Sequence, residues 1–328
     1  MNRQAVSRAL VPILSVSLFL VAATPAEAAD TFPTKPIRVV VPSAPGGLLD
    51  VITRLVALKM SETLGQSVVV ENRAGGGTLV GTRFVRSSPA DGYTLLAATN
   101  TITAMPAVKL DPGYDLPKDF IGIGPMGRSP WFVLVGATQP DKSVSELIAR
   151  GKSHPAQLSF ASAGYGTTPY LAAQSFLNEA GVKMLHVPYK GNSAVYPDLI
   201  SGRITMMFDG VGNTAAMVKG GQLRALGVTS TKRLSAFPDI PTVAEQGLPN
   251  FTSYFFFGML APAGTPKDVV QKLAKALQAA TSSKEVRARF DTDGIETLTA
   301  SPEEFDQLLK RELDEMAKLA TQIGVKKE

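Results

Sequence analysis

Cysteine is absent from all 328 residues. That removes disulfides, zinc–thiolate sites and cysteine nucleophiles together. Histidine is almost absent, with only His154 and His186. They are too far apart for the helical i, i+4 pairing that metal sites favour, and a Ser-His-Asp triad would have to use one of them. His154 precedes Pro155 in a polar turn and reads as surface, while His186 lies at a strand edge and reads as structural. No G-x-S-x-G elbow occurs, which leaves a carboxylic-ester hydrolase as the third-ranked reading and gives no catalytic residue. Long runs of one charge are also missing: the formal charge is only +5 and no block of five basic residues exists, so there is no nucleic-acid footprint.

The chain also lacks an apolar run of the roughly 20 residues that a membrane span needs. It has instead a short basic start with Arg3 and Arg8, an apolar run from Ala9 to Ala23 broken by Pro12, Ser15 and Ser17, and then Ala26-Glu27-Ala28. This is a secretory signal pattern, with cleavage expected after Ala28. No cysteine follows for a lipid anchor. Loss of residues 1–28 lowers the formal charge from +5 to +4, a mild balance that favours anionic ligands slightly. An exported chain without disulfides must be held together by its core, and about 300 residues suffice for one or two domains.

What is present is organised around Val39 to Asp50. Ile37, Val39, Val40 and Val41 suit a strand buried on both faces. Pro42, Pro45, Gly46 and Gly47 break it, and Val51, Leu55, Val56, Leu58 and Leu64 supply a helical stripe afterwards. A helix N-terminus is thereby presented at a strand's carboxyl end, where free N–H groups and the helix dipole suit a carboxylate or phosphate. No Gly-Lys-Ser or Gly-Lys-Thr follows this turn, so it is not a P-loop. A single turn of this kind is ordinary punctuation, but the pattern returns. Leu158 to Ala161 is a strand, Ser162, Ala163, Gly164, Tyr165 and Gly166 form a glycine turn, and Thr167, Thr168 and Tyr170 offer donors at the head of a helix from Pro169 to Ala180. Two such turns about 120 residues apart read as one strand–turn–helix unit in each of two lobes that face each other across a cleft.

Between and after these units strand and helix alternate, which implies parallel sheets covered by helices. Strands are expected at Val68 to Asn72, Tyr93 to Ala98, Ile204 to Phe208 and Leu223 to Val228, with residues 110–120 an irregular loop. Extended segments at 120–124 and 131–135 flank a first crossing between lobes near Gly127, and residues 251–260 carry the chain back. Capping patterns open helices at Ser143, Thr265 and Ser301. Ligands in such sheets sit beyond the strands' carboxyl ends, so residues 44–49 and Thr99 to Thr101, including Asn100, should share one crevice. Asp50 and Asp209 could form an acid–base pair, but a first-turn dipole partner and a strand-end residue are the plainer readings. Alternation within a strand lets Tyr254 and Phe256 face the cleft while Phe255 and Phe257 face the sheet. Lys190 beside Gly191 reads as a solvated turn lysine.

An ordered set of motifs resembles the Bug family, the periplasmic solute receptors of tripartite tricarboxylate transporters. It comprises Pro33-Thr34-Lys35-Pro36-Ile37-Arg38, Pro45-Gly46-Gly47 with Asp50, Val70-Glu71-Asn72-Arg73 with Gly75, Pro89-Ala90-Asp91-Gly92-Tyr93-Thr94-Leu95, Val187-Pro188-Tyr189-Lys190-Gly191, Leu223 through Thr229, Asp239 through Glu245, and Ala261 through Pro266. The resemblance runs from Phe32 to the C-terminus. It implies a type II-like periplasmic binding protein: an α/β fold of two lobes, each a mainly parallel sheet flanked by helices, that holds a carboxylate in the cleft between them without metal or cofactor. Carried over by position, the carboxylate-binding turns fall at Pro45, Gly46, Gly47, Leu48, Leu49 and Asp50, and at Ala163, Gly164, Gly166, Thr167 and Thr168. Thr99, Asn100, Tyr170, Tyr189, Asp209, Tyr254 and Phe256 complete the expected site. The expected lobes are residues 29–127 with 254–328, and residues 128–253.

The expected protein is thus a periplasmic monomer that delivers a small organic carboxylate to membrane permease subunits; the alternative is the same fold feeding a signalling sensor. The chain departs from the family by carrying Leu48-Leu49 where a small or polar pair is frequent, Tyr170 where His is, and Phe256 where Trp is. With Tyr254, these residues favour an aromatic acid, terephthalate foremost, over citrate or malate. Leu48 and Leu49 packing as core is the open alternative.

Overall fold

Valine and isoleucine in the opening strand do what their branching predicts: β1 (Ile37–Val41) has four of its five side chains fully buried, each contributing about 1.5–3 kcal/mol of apolar transfer. The computed structural model describes residue 1 and residues 32–155, 157–325 and 327. The signal-like segment and its cleavage point after Ala28 lie outside the described residues.

After β1 come α1 (Leu48–Leu64), β2 (Val68–Asn72), a 3₁₀ turn at Gly76–Thr78, α2 (Leu79–Arg86) and β3 (Thr94–Thr99). Then α3 (Thr101–Val108) and the short α4 (Leu116–Asp119) lead into β4 (Phe120–Gly136), which runs unbroken for 17 residues. The second half begins with α5 (Val144–Ser153), β5 (Ser159–Ser162), α6 (Thr168–Ala180) and β6 (Leu185–Pro188). A 3₁₀ turn at Asn192–Ala194 precedes α7 (Tyr196–Ile200), β7 (Met206–Gly210), α8 (Val211–Lys219) and β8 (Leu223–Val228). The chain returns along β9 (Tyr254–Pro262) and ends with α9 (Lys267–Ser282), α10 (Lys284–Asp293), β10 (Glu296–Thr297) and α11 (Pro302–Gln322).

The strands run in the order β2-β1-β3-β9-β4-β7-β5-β6, with β8 and β10 also on β4. Pairing is parallel where strand–helix units alternate, at β1 with β2 and β3 and at β5 with β6 and β7. It is antiparallel at the centre, where β4 and β9 carry the chain in opposite directions. The expected break around Gly127 to Pro130 is absent. Instead β4 pairs with β9 as far as Pro130 and with β7 from Trp131 onward, and register shifts between Gly122 and Gly124 and between Pro125 and Gly127 bend it. Gly127 has to lack a side chain, because a Cβ there would lie 2.8 Å from Ile295 and 2.9 Å from the Glu296 carbonyl.

Four elements were not expected: the short α4 within residues 110–120, read as an irregular loop, the two-residue β10, and helices α3 and α10. The segment 101–108 is apolar all round and contains Pro106, so it shows no amphipathic period, yet it is helical because seven of its eight residues are buried. Helix α10 is highly charged and buries only Val286, Phe290 and Asp293. The expected caps at Ser143 and Ser301 are present, each side chain accepting the N–H of the residue three ahead, and Ser301 with Glu304 forms a full capping box, whereas Thr265 caps nothing: its hydroxyl donates back to the Pro262 carbonyl and α9 starts behind Pro266 without a side-chain cap. No helix of the described residues is long and apolar enough to cross a membrane.

Candidate functional site

The first glycine turn is built from backbone conformation and one carboxylate. Gly46 has φ +83°, which a side chain would oppose. Gly47 caps α1 in extended conformation without a side-chain cap. Asp50 is buried and turned back into the loop, where Oδ2 accepts the Gly46 N–H (2.9 Å) and Oδ1 accepts Asn72 Nδ2 (2.9 Å) and Arg54 Nε (3.0 Å). Asn72 also donates to the Ser43 carbonyl (3.1 Å). Burial raises the Asp50 carboxyl, but the bonds from Arg54, the Gly46 N–H and Asn72 outweigh it and hold the group below its ordinary value. Asp50 is therefore a positioning residue whose oxygens are occupied within the turn.

The second turn uses hydroxyls. Thr167 Oγ1 donates to the Gly164 carbonyl (2.6 Å), as does Ser162 Oγ (3.0 Å), with His186 Nε2 2.8 Å from the same serine. Gly164 and Gly166 have φ +125° and +73°. Gly166 packs on α3, and a Cβ there would lie 2.4 Å from Val108. Helix α6 begins at Thr168 with no side-chain cap. The Thr168 hydroxyl is paired with that of Thr101 (3.0 Å), and the Thr168 backbone N–H is a further donor at the head of the helix. Pro169 has none.

Both turns open on one cavity of about 710 Å³. Its walls are Ser43, Gly47, Leu48 and Leu49 from the first turn, the segment 74–78, Thr99 and Thr101, then Trp131, and Ala163, Thr167 and Thr168 from the second turn. Tyr189, Lys190, Gly191 and Asn192 with Asp209 and Asn213 close another side, and Phe255 and Phe257 form an apolar face. Trp131 packs on Phe255 at a 34° tilt with centroids 4.2 Å apart, and Phe257 meets Phe255 edge-on at 5.1 Å. A third helix, α8, starts at this wall behind Asp209. Asp209 is fully buried and accepts Tyr196 OH (2.7 Å), the Gly210 N–H (2.7 Å) and Asn213 Nδ2 (3.0 Å), with Asn192 as a further donor. Burial nonetheless leaves its carboxyl above the ordinary value.

Among the described residues, three buried side-chain polar atoms have no hydrogen-bond partner: Ser43 Oγ, Trp131 Nε1 and Asn192 Oδ1. All three belong to residues lining this cavity. Such an atom costs about 1–3 kcal/mol, so three in residues around one cavity set that cavity apart from the rest of the core. Lys190 is exposed and has no ion-pair or hydrogen-bond partner among the described residues. Those residues hold no cluster of three or more His, Asp or Glu suited to a metal.

Of the expected site residues, Gly47, Leu48, Leu49, Thr99, Ala163, Thr167, Thr168, Tyr189 and Asp209 share this wall. Pro45, Gly46, Gly164 and Gly166 shape the turns behind it. The structure reverses the expected alternation in β9: Phe255 and Phe257 face the cleft, while Tyr254 and Phe256 face a separate cavity of about 370 Å³ under α11. The reason is Gly258, on the same face as Phe256, whose missing side chain admits Phe305 of α11; a Cβ there would lie 2.3 Å from the ring. Asn100 also lies on that rear side, donating to Glu312 Oε2 (2.7 Å) and accepting the Phe256 N–H (2.5 Å). Burial, and then Glu315, push Glu312 up to about 7.

Tyr170 is likewise displaced from the expected site. It is buried behind the second turn among Tyr165, His186 and Phe160, and burial pushes its hydroxyl up to about 12. The Leu48 and Leu49 alternatives merge, since both are under 9% exposed and yet line the cavity. Ser43, Trp131 and Asn192 were not anticipated, because an unpartnered atom becomes visible only when every neighbour is in place, and neither was Asn213, whose bond to Asp209 joins a strand end to the helix after it.

A sequence model of the tripartite tricarboxylate transporter family receptor matches residues 52–325. A relative from Pseudomonas sp. (strain P51), the UPF0065 protein in the tcbD-tcbE intergenic region, is 37% identical over 297 residues, covering 90% of this chain and 88% of the relative. The structure of periplasmic binding protein BugD superposes with TM-score 0.83 at 35% identity, over 90% of this chain and all of that one. Rpa4515 of R. palustris, solved with adipate, gives TM-score 0.85 at 31% identity over 90% of this chain and all of that one. With a periplasmic binding protein fold and this extent of agreement, the chain belongs to the receptor family of the tripartite tricarboxylate transporters.

Proposed function

We propose that this receptor captures a small organic dicarboxylate with an apolar body, an aromatic one such as terephthalate, and passes it as a monomer in the periplasm to membrane permease subunits. The observation that carries this reading is the meeting of uncapped helix N-termini with a largely apolar cavity wall. The first turns of α1 and α6 have no capping side chain. Their free N–H groups and dipoles favour one carboxylate. The unpartnered Lys190 ammonium on the same cavity suits a second carboxylate, and the Trp131, Phe255, Phe257, Leu48 and Leu49 surface suits the carbon skeleton between them. Citrate would bury hydroxyls and charges against that surface at about 1–3 kcal/mol each. The adipate bound by Rpa4515 is also a dicarboxylate with an apolar middle.

The lobes, residues 29–127 with 254–328 and residues 128–253, close about the two chain crossings near Gly127 and Tyr254. Support for this comes from β4, which pairs with β9 as far as Pro130 and with β7 from Trp131 onward, and from the return of the chain into β9 at Tyr254. Calorimetry with terephthalate, benzoate, adipate and citrate tests the ligand. Tight citrate binding with no heat from either aromatic acid would overturn it. Gly47→Val tests the site. A Cβ at Gly47 meets only the Ala44 carbonyl, at 3.8 Å, and the residue is not left-handed, so valine crowds the cavity without breaking the turn. At least a tenfold loss of affinity is expected, about 1.4 kcal/mol; unchanged affinity would refute the assignment.

A further inference from the structure

We propose that Trp131 is a specificity-determining residue of this cavity: its indole N–H donates to an acceptor oxygen on the ligand's body, separate from the carboxylate at the helix N-termini. The proposal rests on the reading of the cavity as the carboxylate site.

Trp131 is the only tryptophan in the chain and sits where β4 leaves β9 and joins β7, opposite Gly210. Its backbone is held at this crossing. The N–H donates to Thr229 Oγ1 (2.8 Å), the carbonyl accepts the Thr229 N–H (3.0 Å), and Thr229 Oγ1 in turn donates to the Ser253 carbonyl (2.5 Å) on the returning segment. The residue is 4% exposed and its ring packs at a tilt on that of Phe255. Nε1 is nevertheless buried without a partner, and an indole nitrogen can only donate. Buried tryptophan N–H groups ordinarily find an acceptor, so this one is a donor reserved for something that enters.

Trp131 belongs to the apolar part of the wall, beside Phe255. A ligand whose body carries a second carboxylate or another acceptor oxygen satisfies its indole N–H; the same skeleton ending in a methyl group leaves that donor bare. Discrimination between the two follows from the cost of an unpaired buried donor, the asymmetry by which polar sites reject analogues lacking the matching group.

The test uses matched pairs, terephthalate against 4-methylbenzoate and adipate against hexanoate, titrated calorimetrically into the wild-type receptor and into Trp131→Phe. In the wild type each diacid binds more tightly than its partner. In the variant that preference falls roughly 10–100-fold for the pair whose acceptor reaches Nε1, while affinity for the monoacid is retained. Benzothienylalanine at position 131, which keeps the ring shape but has no N–H, gives the same result should the phenylalanine variant fold poorly. Because the chain has one indole, a single Nε1–H resonance reports directly, and it moves downfield with the diacid only. Equal loss for both members of a pair, or an unmoved indole resonance in a saturated diacid complex, overturns the proposal by reducing Trp131 to packing. If no acid of either pair binds the wild-type receptor, and Gly47→Val is equally silent, the carboxylate reading itself fails and takes this inference with it.

Discussion

Replacing Asp50 by alanine dismantles the first turn from inside, and its cost can be worked from the bonds that converge there. Three donors lose an acceptor: the Gly46 N–H, Asn72 Nδ2 and the Arg54 guanidinium. The Arg54 side chain is 49% exposed, so its charge returns to water and contributes little. Gly46 is exposed, which allows its N–H a water partner, and Asn72 keeps its bond to the Ser43 carbonyl. Each of those two losses therefore falls at the low end of the roughly 1–3 kcal/mol for an abandoned partner. Removal of a carboxylate from the first turn of α1 adds about 0.3–1 kcal/mol, for a total near 2–4 kcal/mol. Urea unfolding of wild type and Asp50→Ala at pH 7 measures it; a difference under about 0.5 kcal/mol would refute the reasoning. The pH dependence supplies a second check. The folded-state carboxyl is held below its unfolded value, so its stabilisation is full above the unfolded value near 3.9 and is lost as pH falls through the folded one. The gap between the two proteins should be constant above about pH 5 and close below about pH 4.

Glu312 should behave in the opposite sense. Its folded-state carboxyl is raised to about 7, so ionising it costs stability that accrues from the ordinary glutamate range upward; Glu312→Gln, which still accepts from Asn100, should be more stable than wild type at pH 8 and equal to it below pH 4, by thermal unfolding. A Glu312→Gln melting curve that tracks wild type at every pH would refute the burial argument. Gly258→Ala should destabilise by about 1–3 kcal/mol, because its methyl would meet the buried Phe305 ring at 2.3 Å. Urea unfolding indistinguishable from wild type would mean that α11 can shift without cost.

The sequence by itself determined the local units. Branched residues at 37–41, glycine at 46 and 47 and a helical stripe from Val51 specify strand, turn and helix because each choice acts through near neighbours, and the same holds for the unit from Leu158 to Ala180. The capping residues Ser143 and Ser301 were legible for the same reason. Only the tertiary structure decided which way side chains face. Alternation within 254–257 is fixed by the chain, but its phase is set by Phe305 of α11 filling the space above Gly258, a contact between residues 47 positions apart. Tyr170 was assigned to the cleft from its place in a first turn, yet packing with Phe160 and His186 draws it behind the turn. The donors and acceptors left bare at Ser43, Trp131 and Asn192 are a property of the assembled wall. An atom lacks a partner only when all its neighbours are known, and those neighbours come from strands and loops that the folded sheet, not the order of residues, brings together.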